Sequence, residues 1–262
     1  MIYAKKSLGQ NFLTDSRIIN KIISIVKIQN KNILEIGPGT GSLTKNILKK
    51  NPKKLIIIEK DSRFIEILRN DLNSNVKIIN EDILEIDENK IDNDLLTVFG
   101  NLPYNISTEI LCKWILNIKE NNFWFENLVL MFQKEVADRI IAKFNTKNYG
   151  RLSILSNWKL QVEKVCDVSP ESFFPKPKIE SSILLMRPKF NFFQLKDPKN
   201  LENLTRIFFM HRRKMLRKPY NQLFNGNSEI ANKLHIDLNL RPQNLNFETY
   251  YNLTREFENL RC

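Results

Sequence analysis

The sequence has 262 residues, of which 42% are hydrophobic and 27% are charged, and its formal net charge is +12. This length allows one large domain with a smaller one, or one domain of unusual size, and the apolar fraction is sufficient for a substantial core. Such a positive surplus indicates a polyanionic partner, most often nucleic acid or an anionic membrane surface, although a lysine-rich proteome would also produce it. No apolar stretch approaches the roughly 18 residues that cross a bilayer, so we expect no membrane-spanning segment.

Cysteine and histidine usage predicts neither disulfides nor a metal site. Cys112, Cys166 and Cys262 are odd in number and far apart, which is typical of free thiols in a reducing compartment. His211 and His235 are isolated from each other and from the cysteines. The N-terminus lacks the apolar stretch of a secretory signal. We therefore expect a cytoplasmic protein without a metal ion.

Strands and helices alternate in the predicted elements from about residue 17 to 185. In chain order we predict a helix in SRIINKIISIV, a strand in NILEI, a helix in GSLTKNILKK, a strand in KLIIIEK, a helix in SRFIEILRNDL, strands in VKIINED and LLTVFGN, a helix in STEILCKWIL, a strand in ENLVLMFQ, a helix in KEVADRIIAKF, and a closing antiparallel pair in VEKVCDVSP and SSILLMRP. This alternation predicts an α/β fold with a mostly parallel sheet and helices on both faces. The uninterrupted apolar character of LIII and LVLMF agrees, because such strands are buried on both sides.

A glycine-rich loop joins the first of these buried strands to the next helix. Gly37, Gly39 and Gly41 are three of only seven glycines in the chain. A strand, a tight glycine turn and a helix form the nucleotide-cofactor loop of open α/β sheets, since glycine lets the backbone approach a ligand closely. A plain turn between strand and helix is the alternative, but such a turn needs only one glycine.

Acidic residues next to three strand ends indicate which cofactor the loop would bind. Glu35 precedes the loop, Glu59 ends the next strand, and Asp82 follows the third. Glu59 could accept hydrogen bonds from ribose hydroxyls and Asp82 from an adenine amine, which suits S-adenosylmethionine, a cofactor without phosphates. Either carboxylate could instead be a solvated strand end, Asp82 especially, because its surroundings are acidic throughout.

The fourth strand delivers the segment NLPY, residues 101–104, to the same edge of the sheet. An exocyclic amine of a base is a poor nucleophile, because its lone pair is delocalised into the ring. The side-chain oxygen of Asn101 and the carbonyl of Leu102 could accept from the two N–H groups and free that lone pair, while Pro103 fixes the direction of the carbonyl. Tyr104 could stack on a flipped-out base. A proline turn with a buried tyrosine is the alternative interpretation.

Composition changes near 187–200, where prolines and asparagines indicate a linker, and only helical spacing follows. We predict two domains, 1–190 and 195–262. The second contains LENLTRIFFMHRRKMLRK, in which the stretch from Thr205 to Lys218 has no acidic residue. We interpret this stretch as a helix with an outward basic face that binds RNA, formed by Arg212, Arg213, Lys214, Arg217 and Lys218. A solvated helix face is the alternative.

Taken together, these motifs resemble those of the ribosomal RNA adenine dimethyltransferases, and most closely those of members that modify 16S rRNA. The resemblance covers nearly the whole chain, including GQNFLTD at 9–15, the glycine loop, NLPYNIST, SFFPKPKIESS and HRRKMLRK. It implies a Rossmann-like S-adenosylmethionine-dependent methyltransferase domain with a small, all-helical, RNA- or ribosome-binding domain after it.

Site residues also follow from the resemblance. It implies that Asn11 and Leu13 contact the cofactor, together with the glycine loop, Glu59, Asp82 and Asn101. It further implies that Phe173 sandwiches the target adenine opposite Tyr104. Phe174 stands where other members carry a small or polar residue, so the choice between the two phenylalanines stays open.

The implied activity is the transfer of four methyl groups to two adjacent adenosines in the loop of a hairpin near the 3′ end of 16S rRNA. The implied substrate is an assembling small ribosomal subunit, in whose biogenesis the family also acts, and we expect a monomer. Two alternatives remain. One is the sister family that dimethylates 23S rRNA and confers macrolide resistance, and the other is a non-catalytic ribosome-assembly factor. A DNA adenine methyltransferase is disfavoured, because that class usually has Asp in place of Asn101.

Overall fold

The computed structural model describes residues 9–72 and 76–260. Its strands are β1 (Phe12–Leu13), β2 (Asn32–Ile36), β3 (Lys54–Ile58), β4 (Val76–Ile79), β5 (Leu96–Asn101), β6 (Phe125–Gln133), β7 (Leu160–Val168), β8 (Phe173–Phe174) and β9 (Ser181–Pro188). Its helices are α1 (Ser16–Ser24), α2 (Ser42–Leu48), α3 (Ser62–Asp71), α4 (Ser107–Asn117), α5 (Lys134–Ile140), α6 (Arg151–Lys159), α7 (Pro198–Met210), α8 (Arg217–Phe224), α9 (Ser228–Lys233) and α10 (Phe247–Asn259).

Seven strands form the main sheet, in the order β4-β3-β2-β5-β6-β9-β7. The first five are parallel to their neighbours, and β9 is antiparallel to β6. All five residues of β2 are buried, as the uninterrupted apolar pattern predicts for a strand covered on both faces. This sheet confirms the predicted α/β fold.

The strand order reverses between β2 and β5. From β2 the chain proceeds outward to β3 and β4, then returns to β5 on the other side of β2. In open α/β sheets such a reversal opens a crevice outside the carboxyl ends of the two strands, where ligands bind. The glycine loop follows β2 and NLPY follows β5, so the topology brings these two motifs together.

A second, two-stranded sheet was not predicted from the sequence. It pairs β1 with β8 antiparallel, with Phe12 opposite Phe174 and Leu13 opposite Phe173. The amide of Thr14 extends this pairing by donating to the carbonyl of Ser172 at 2.9 Å. Two-residue strands are too short to show an alternating pattern, which explains why the sequence did not indicate them.

The chain forms two compact units. The described residues of 1–114, 122–137 and 162–188 form the first, and those of 115–121, 138–161 and 189–262 form the second. The second unit therefore includes a helix, α6, that lies upstream of the predicted linker and that the sequence did not indicate. α6 is buried on most of its surface, so it lacks an amphipathic period. The domain boundaries 1–190 and 195–262 stay a prediction.

The predicted basic helix is interrupted, which corrects the sequence interpretation. α7 ends at Met210 and α8 begins at Arg217. In the intervening turn, the amides of Leu216 and Arg217 donate to the carbonyls of Leu240 and Leu238. Pro219 explains the second boundary, because proline is disfavoured inside a helix and tolerated in its first turn. Arg213 and Arg217 consequently do not share a helix face.

Candidate active site

A cavity of about 290 Å³ lies at the carboxyl ends of the central strands in the first unit. Its lining includes most of the predicted cofactor and catalytic residues, namely Asn11, Leu13, Gly37, Gly39, Glu59, Asp82, Asn101, Leu102, Pro103 and Tyr104. The structure therefore brings together residues that are up to 93 positions apart in the sequence, from Asn11 to Tyr104.

The glycine loop has a backbone that other residues would strain. Gly39 has a φ of +54°, and a Cβ atom at this position would lie 2.8 Å from the Phe12 ring. Gly37 has a φ of +65°. Both are in the left-handed region that glycine occupies without steric cost. The loop is thus packed against the N-terminal segment, and the glycines are required by geometry.

Glu59 supports the loop through its carboxylate. Its Oε2 accepts from the amide of Gly39 at 3.2 Å and its Oε1 from the amide of Asp61 at 2.8 Å. Burial raises the pKa of Glu59, although these two backbone hydrogen bonds act in the opposite direction. A carboxylate can accept about four hydrogen bonds, so Glu59 retains capacity for a further donor, and the predicted contact with ribose hydroxyls remains compatible with this arrangement.

Glu35 provides a test of whether the cavity fits S-adenosylmethionine. This carboxyl is 2% exposed, lines the cavity, and its Oε2 has no hydrogen-bond partner within the described residues. Burial raises its pKa to about 8, and the charge of Glu59 acts in the same direction, whereas the hydroxyl of Thr44 acts in the opposite direction. A buried carboxyl oxygen without a partner is costly unless a ligand supplies a donor. The amino group on the methionine part of S-adenosylmethionine is such a donor, so the residues present fit this cofactor.

Asp82 also lines the cavity, where both of its oxygens have partners. Oδ2 lies 2.6 Å from Nζ of Lys60, and Oδ1 accepts from the amide of Leu84 at 3.0 Å. Burial on its own would raise the pKa of Asp82, but these two partners outweigh it and the pKa is lowered. Asp82 is therefore ionised and accepts hydrogen bonds. Sequence reasoning did not find Lys60, which has no pattern of its own beyond its place at a strand end.

Asn101 is oriented by the N-terminal segment. Its Nδ2 donates to the backbone carbonyl of Asn11 at 2.8 Å. The amide group thus uses its donor side for the protein, which leaves the Oδ1 atom to accept from another group. This is the atom that the sequence interpretation assigns to a substrate amine. Gln10 fixes the same segment, because its Nε2 donates to Asp61 Oδ2 at 3.0 Å.

The turn after Asn101 is held by the following helix and by the last strand. The amides of Ile106 and Ser107 both donate to the carbonyl of Pro103. The Tyr104 hydroxyl lies 2.5 Å from Oγ of Ser181, and burial raises the pKa of this phenol, which keeps it protonated at neutral pH. The sequence did not indicate Ser181, since the predicted antiparallel pair did not show that β9 is the strand that lies antiparallel to β6 and brings its first residue to this edge.

The two phenylalanines of β8 have different environments. Phe173 is 4% exposed and packs in the hydrophobic core with Leu13, whereas Phe174 is 71% exposed. Neither belongs to the described lining of the cavity. The stacking role of Phe173 stays a prediction, and in this arrangement its ring would have to leave the core to meet a base.

The five basic residues assigned to RNA binding differ in exposure. Arg213, Lys214 and Lys218 are exposed. Arg212 is half-buried, and its Nη2 donates to the carbonyl of Lys147. Arg217 is exposed, with its Nη2 2.9 Å from Asn239 Oδ1. Arg212 thus has a structural contact that the sequence did not predict.

Cysteine pairing, metal binding and membrane spanning can be considered only for the described part of the chain. There, Cys112 and Cys166 form no disulfide, no cluster of candidate metal ligands occurs, and no helix is long and apolar enough to cross a bilayer. Cys262 lies outside the described residues.

Comparisons with known proteins agree with the geometry of the site. A family model described as "Ribosomal RNA adenine dimethylase" matches residues 1–259. The chain is 62% identical over 260 residues to ribosomal RNA small subunit methyltransferase A of Pelagibacter ubique, with 99% of both chains covered. It is 45% identical over 258 residues to the protein of the same name from Ehrlichia ruminantium, with 95% of both covered.

Solved structures are similar over almost the whole chain. A dimethyladenosine transferase from Plasmodium falciparum has a TM-score of 0.76 at 29% identity, covering 95% of this chain and 98% of that one. The 23S rRNA methyltransferase ErmE has a TM-score of 0.68 at 21% identity, covering 95% and 100%. The second likeness is one of fold.

Proposed function

This chain belongs to the ribosomal RNA adenine dimethylase family, and on that premise we propose that it dimethylates the exocyclic amines of two adjacent adenosines in the 3′-terminal hairpin loop of 16S rRNA. The methyl donor is S-adenosylmethionine, which supplies an electrophilic methyl group on a sulfonium. The relatives named small subunit methyltransferase A support the choice of 16S rRNA.

The observation that carries this proposal is the orientation of Asn101. Because its Nδ2 donates to the Asn11 carbonyl, its Oδ1 is left as an acceptor on a residue that lines the cavity at the carboxyl end of β5. An acceptor at this point favours the pyramidal form of an amine nitrogen, in which the lone pair is available for attack. The hydrogen bond strengthens as the amine pyramidalises, so it lowers the barrier more than it strengthens substrate binding.

The remaining residues bind and orient the reactants. Glu35, Glu59 and the glycine loop would hold the cofactor, while Asp82 would accept from its adenine amine. Leu102 would offer its carbonyl as the second acceptor for the target amine, and Pro103 would fix the direction of that carbonyl. Tyr104 would stack on the flipped-out base, with a phenylalanine of β8 opposite it. No strong base is needed, because alignment of the amine with the methyl group is the main requirement.

We further propose that the substrate is 16S rRNA within an assembling small subunit, that the enzyme is a cytoplasmic monomer, and that the basic segment from Arg212 to Lys218 contacts rRNA phosphates. The formal charge of +12 and the exposure of Arg213, Lys214 and Lys218 support the last point.

Methylation of purified subunits tests the proposed function. We expect the protein and labelled S-adenosylmethionine to convert two adjacent adenosines of undermethylated 16S rRNA to N6,N6-dimethyladenosine, which would block primer extension there. Label in 23S rRNA, together with macrolide resistance of expressing cells, would instead assign the chain to the sister activity. Full subunit binding without any label would support a non-catalytic assembly factor.

A further inference from the structure

Ser181 is placed at the active edge by the direction of its strand. The parallel strands bring their last residues to this edge, whereas the antiparallel β9 brings its first. Ser181 lies opposite Gln133, the last residue of β6. The preceding residue is also fixed, because the amide of Lys134 donates to the carbonyl of Glu180 at 3.0 Å. Ser181 is fully buried, so its hydroxyl occupies a well-defined position.

Its hydroxyl has one partner of functional interest. Oγ of Ser181 lies 2.5 Å from the hydroxyl of Tyr104, a residue that lines the cavity and is only half-buried. A tyrosine ring attached to a turn can rotate about χ1 and χ2, and rotation would change the plane on which a base stacks. A hydrogen bond from the tip of the ring to a buried strand residue fixes the direction of the ring axis. Because the hydrogen bonds of a phenol prefer to lie in the plane of its ring, the same contact also favours one ring plane.

We propose that Ser181 is a positioning residue that holds the Tyr104 ring at the angle at which it stacks on the target adenine. This inference rests on the proposed function. Stacking energies fall when the two planes tilt, so fixing the ring before the base arrives reduces the entropy that base binding must overcome. The alternative is that the two hydroxyls form an ordinary core contact that stabilises the fold.

A double-mutant cycle tests whether the two hydroxyls act as one unit during turnover. Four proteins are compared: the wild type, Ser181→Ala, Tyr104→Phe and the double variant. Each single change removes the same hydrogen bond, so we expect each to lower kcat/KM on small subunits about fivefold, the size of one net hydrogen bond, and the double variant to be no worse than either. Cofactor affinity should be unchanged in all four.

Stacking itself can be followed with 2-aminopurine in place of the target adenine in a hairpin RNA, since its fluorescence is quenched by stacking. We expect less quenching with Ser181→Ala and Tyr104→Phe than with the wild type, and recovery with Ser181→Thr, which restores a hydroxyl. Ser182→Ala is the matched control. Ser182 is equally buried in the same strand, but its hydroxyl binds Asp167 at 2.6 Å.

Three outcomes would overturn the inference. Additive losses in the double variant would show that Ser181 does not act through Tyr104. If Ser182→Ala lost as much kcat/KM and quenching as Ser181→Ala, and its unfolding temperature fell as well, the contact between Tyr104 and Ser181 would be only structural. A wild-type protein that methylates no adenosine would remove the proposed function and this inference with it, whereas an active wild type with an additive cycle would remove the inference alone.

Discussion

The cavity edge of the first unit and the basic segment of the second hold their functional side chains in different ways. At the cavity edge, the side chains of Glu59, Asn101 and Tyr104 each have a hydrogen-bond partner within the unit, at 2.5–3.2 Å. In the basic segment, Arg213 and Lys218 are exposed and have no ion pair within the described part of the chain. Chemistry on one nitrogen atom requires fixed positions, whereas attraction to phosphates tolerates mobile charges.

The largest expected effect concerns Asn101, one of the side chains that a hydrogen bond fixes at the cavity edge. Asn101→Ala removes the acceptor, so we expect single-turnover methyl transfer to slow by about 10²–10³-fold, the typical loss for a donor or acceptor that acts in the transition state. Cofactor affinity measured by calorimetry should fall much less. Asn101→Asp is a second variant, which keeps an oxygen acceptor but replaces the Nδ2 donor with an oxygen and adds a negative charge beside the Asn11 carbonyl. A rate for Asn101→Ala within a few-fold of wild type would contradict the proposed role.

Glu59 should give the next largest effect, on binding rather than on rate. Glu59→Ala removes the acceptor for the Gly39 amide as well as the predicted ribose contact, so we expect S-adenosylmethionine to bind more weakly by about 1.5–3 kcal/mol. Glu59→Gln should lie between this variant and the wild type, since one oxygen remains. Unchanged calorimetric affinity in Glu59→Ala would mean that this buried carboxylate contributes nothing to cofactor binding.

Two glycines with left-handed backbones allow the regions to be compared directly. Gly39→Ala should weaken cofactor binding about tenfold or more, because the added Cβ would lie 2.8 Å from the Phe12 ring. Gly226, in the second unit, has a φ of +75° and its nearest neighbour would be 3.9 Å away. Gly226→Ala should therefore cost about 1 kcal/mol of stability from backbone strain and leave cofactor affinity unchanged. Equal cofactor affinities in the two variants would remove the steric argument for the loop.

The smallest expected effects distinguish, within the basic segment, the side chains that we propose contact phosphates from Arg212, which we expect to stabilise the fold. Changing Arg213 and Lys218 to Gln should weaken subunit binding and flatten its log–log salt dependence by roughly 0.7–0.9 for each phosphate that the variant no longer binds, with no change in unfolding. Arg212→Gln should instead lower the free energy of unfolding by about 0.5–1.5 kcal/mol, because the shorter side chain cannot donate to the Lys147 carbonyl. Parallel salt lines for the first variant would show that those two side chains touch no phosphate.

The same contrast explains what the sequence could predict. Strand ends in a parallel sheet share one edge, so motifs that follow Ile36, Ile58 and Asn101 had to meet there, and the cavity contains them. Charge in a segment does not determine its backbone, and the predicted helix is interrupted between Met210 and Arg217 by hydrogen bonds to residues 238–240. These bonds are long-range, so no local pattern could have indicated them.

The hydrogen-bond partners of the site residues also could not be predicted from the sequence. The contact of Asn101 with the Asn11 carbonyl joins residues 90 positions apart, and that of Tyr104 with Ser181 joins residues 77 apart. The residue types at 101 and 104 indicated the chemistry, but the partners that orient them depend on the β1 segment and on the antiparallel β9. Burial of Phe173 has the same origin, because a two-residue strand determines which ring faces the core.

The buried carboxyl of Glu35 makes both stability and cofactor binding depend on pH. The pKa of Glu35 is about 8 in the folded protein, against an ordinary value of 4.5. Between pH 4.5 and 8 the folded protein therefore keeps a proton on this carboxyl that the unfolded chain has released. The free energy of unfolding of the ligand-free protein should thus decrease as the pH rises from about 4.5 to 8, and Glu35→Gln should flatten that dependence.

An ammonium group bound beside Glu35 would favour its ionised form and expel this proton. Calorimetric binding enthalpies near neutral pH should then differ between phosphate and Tris buffers in the wild type, in proportion to the buffers' own heats of ionisation, and agree in Glu35→Gln.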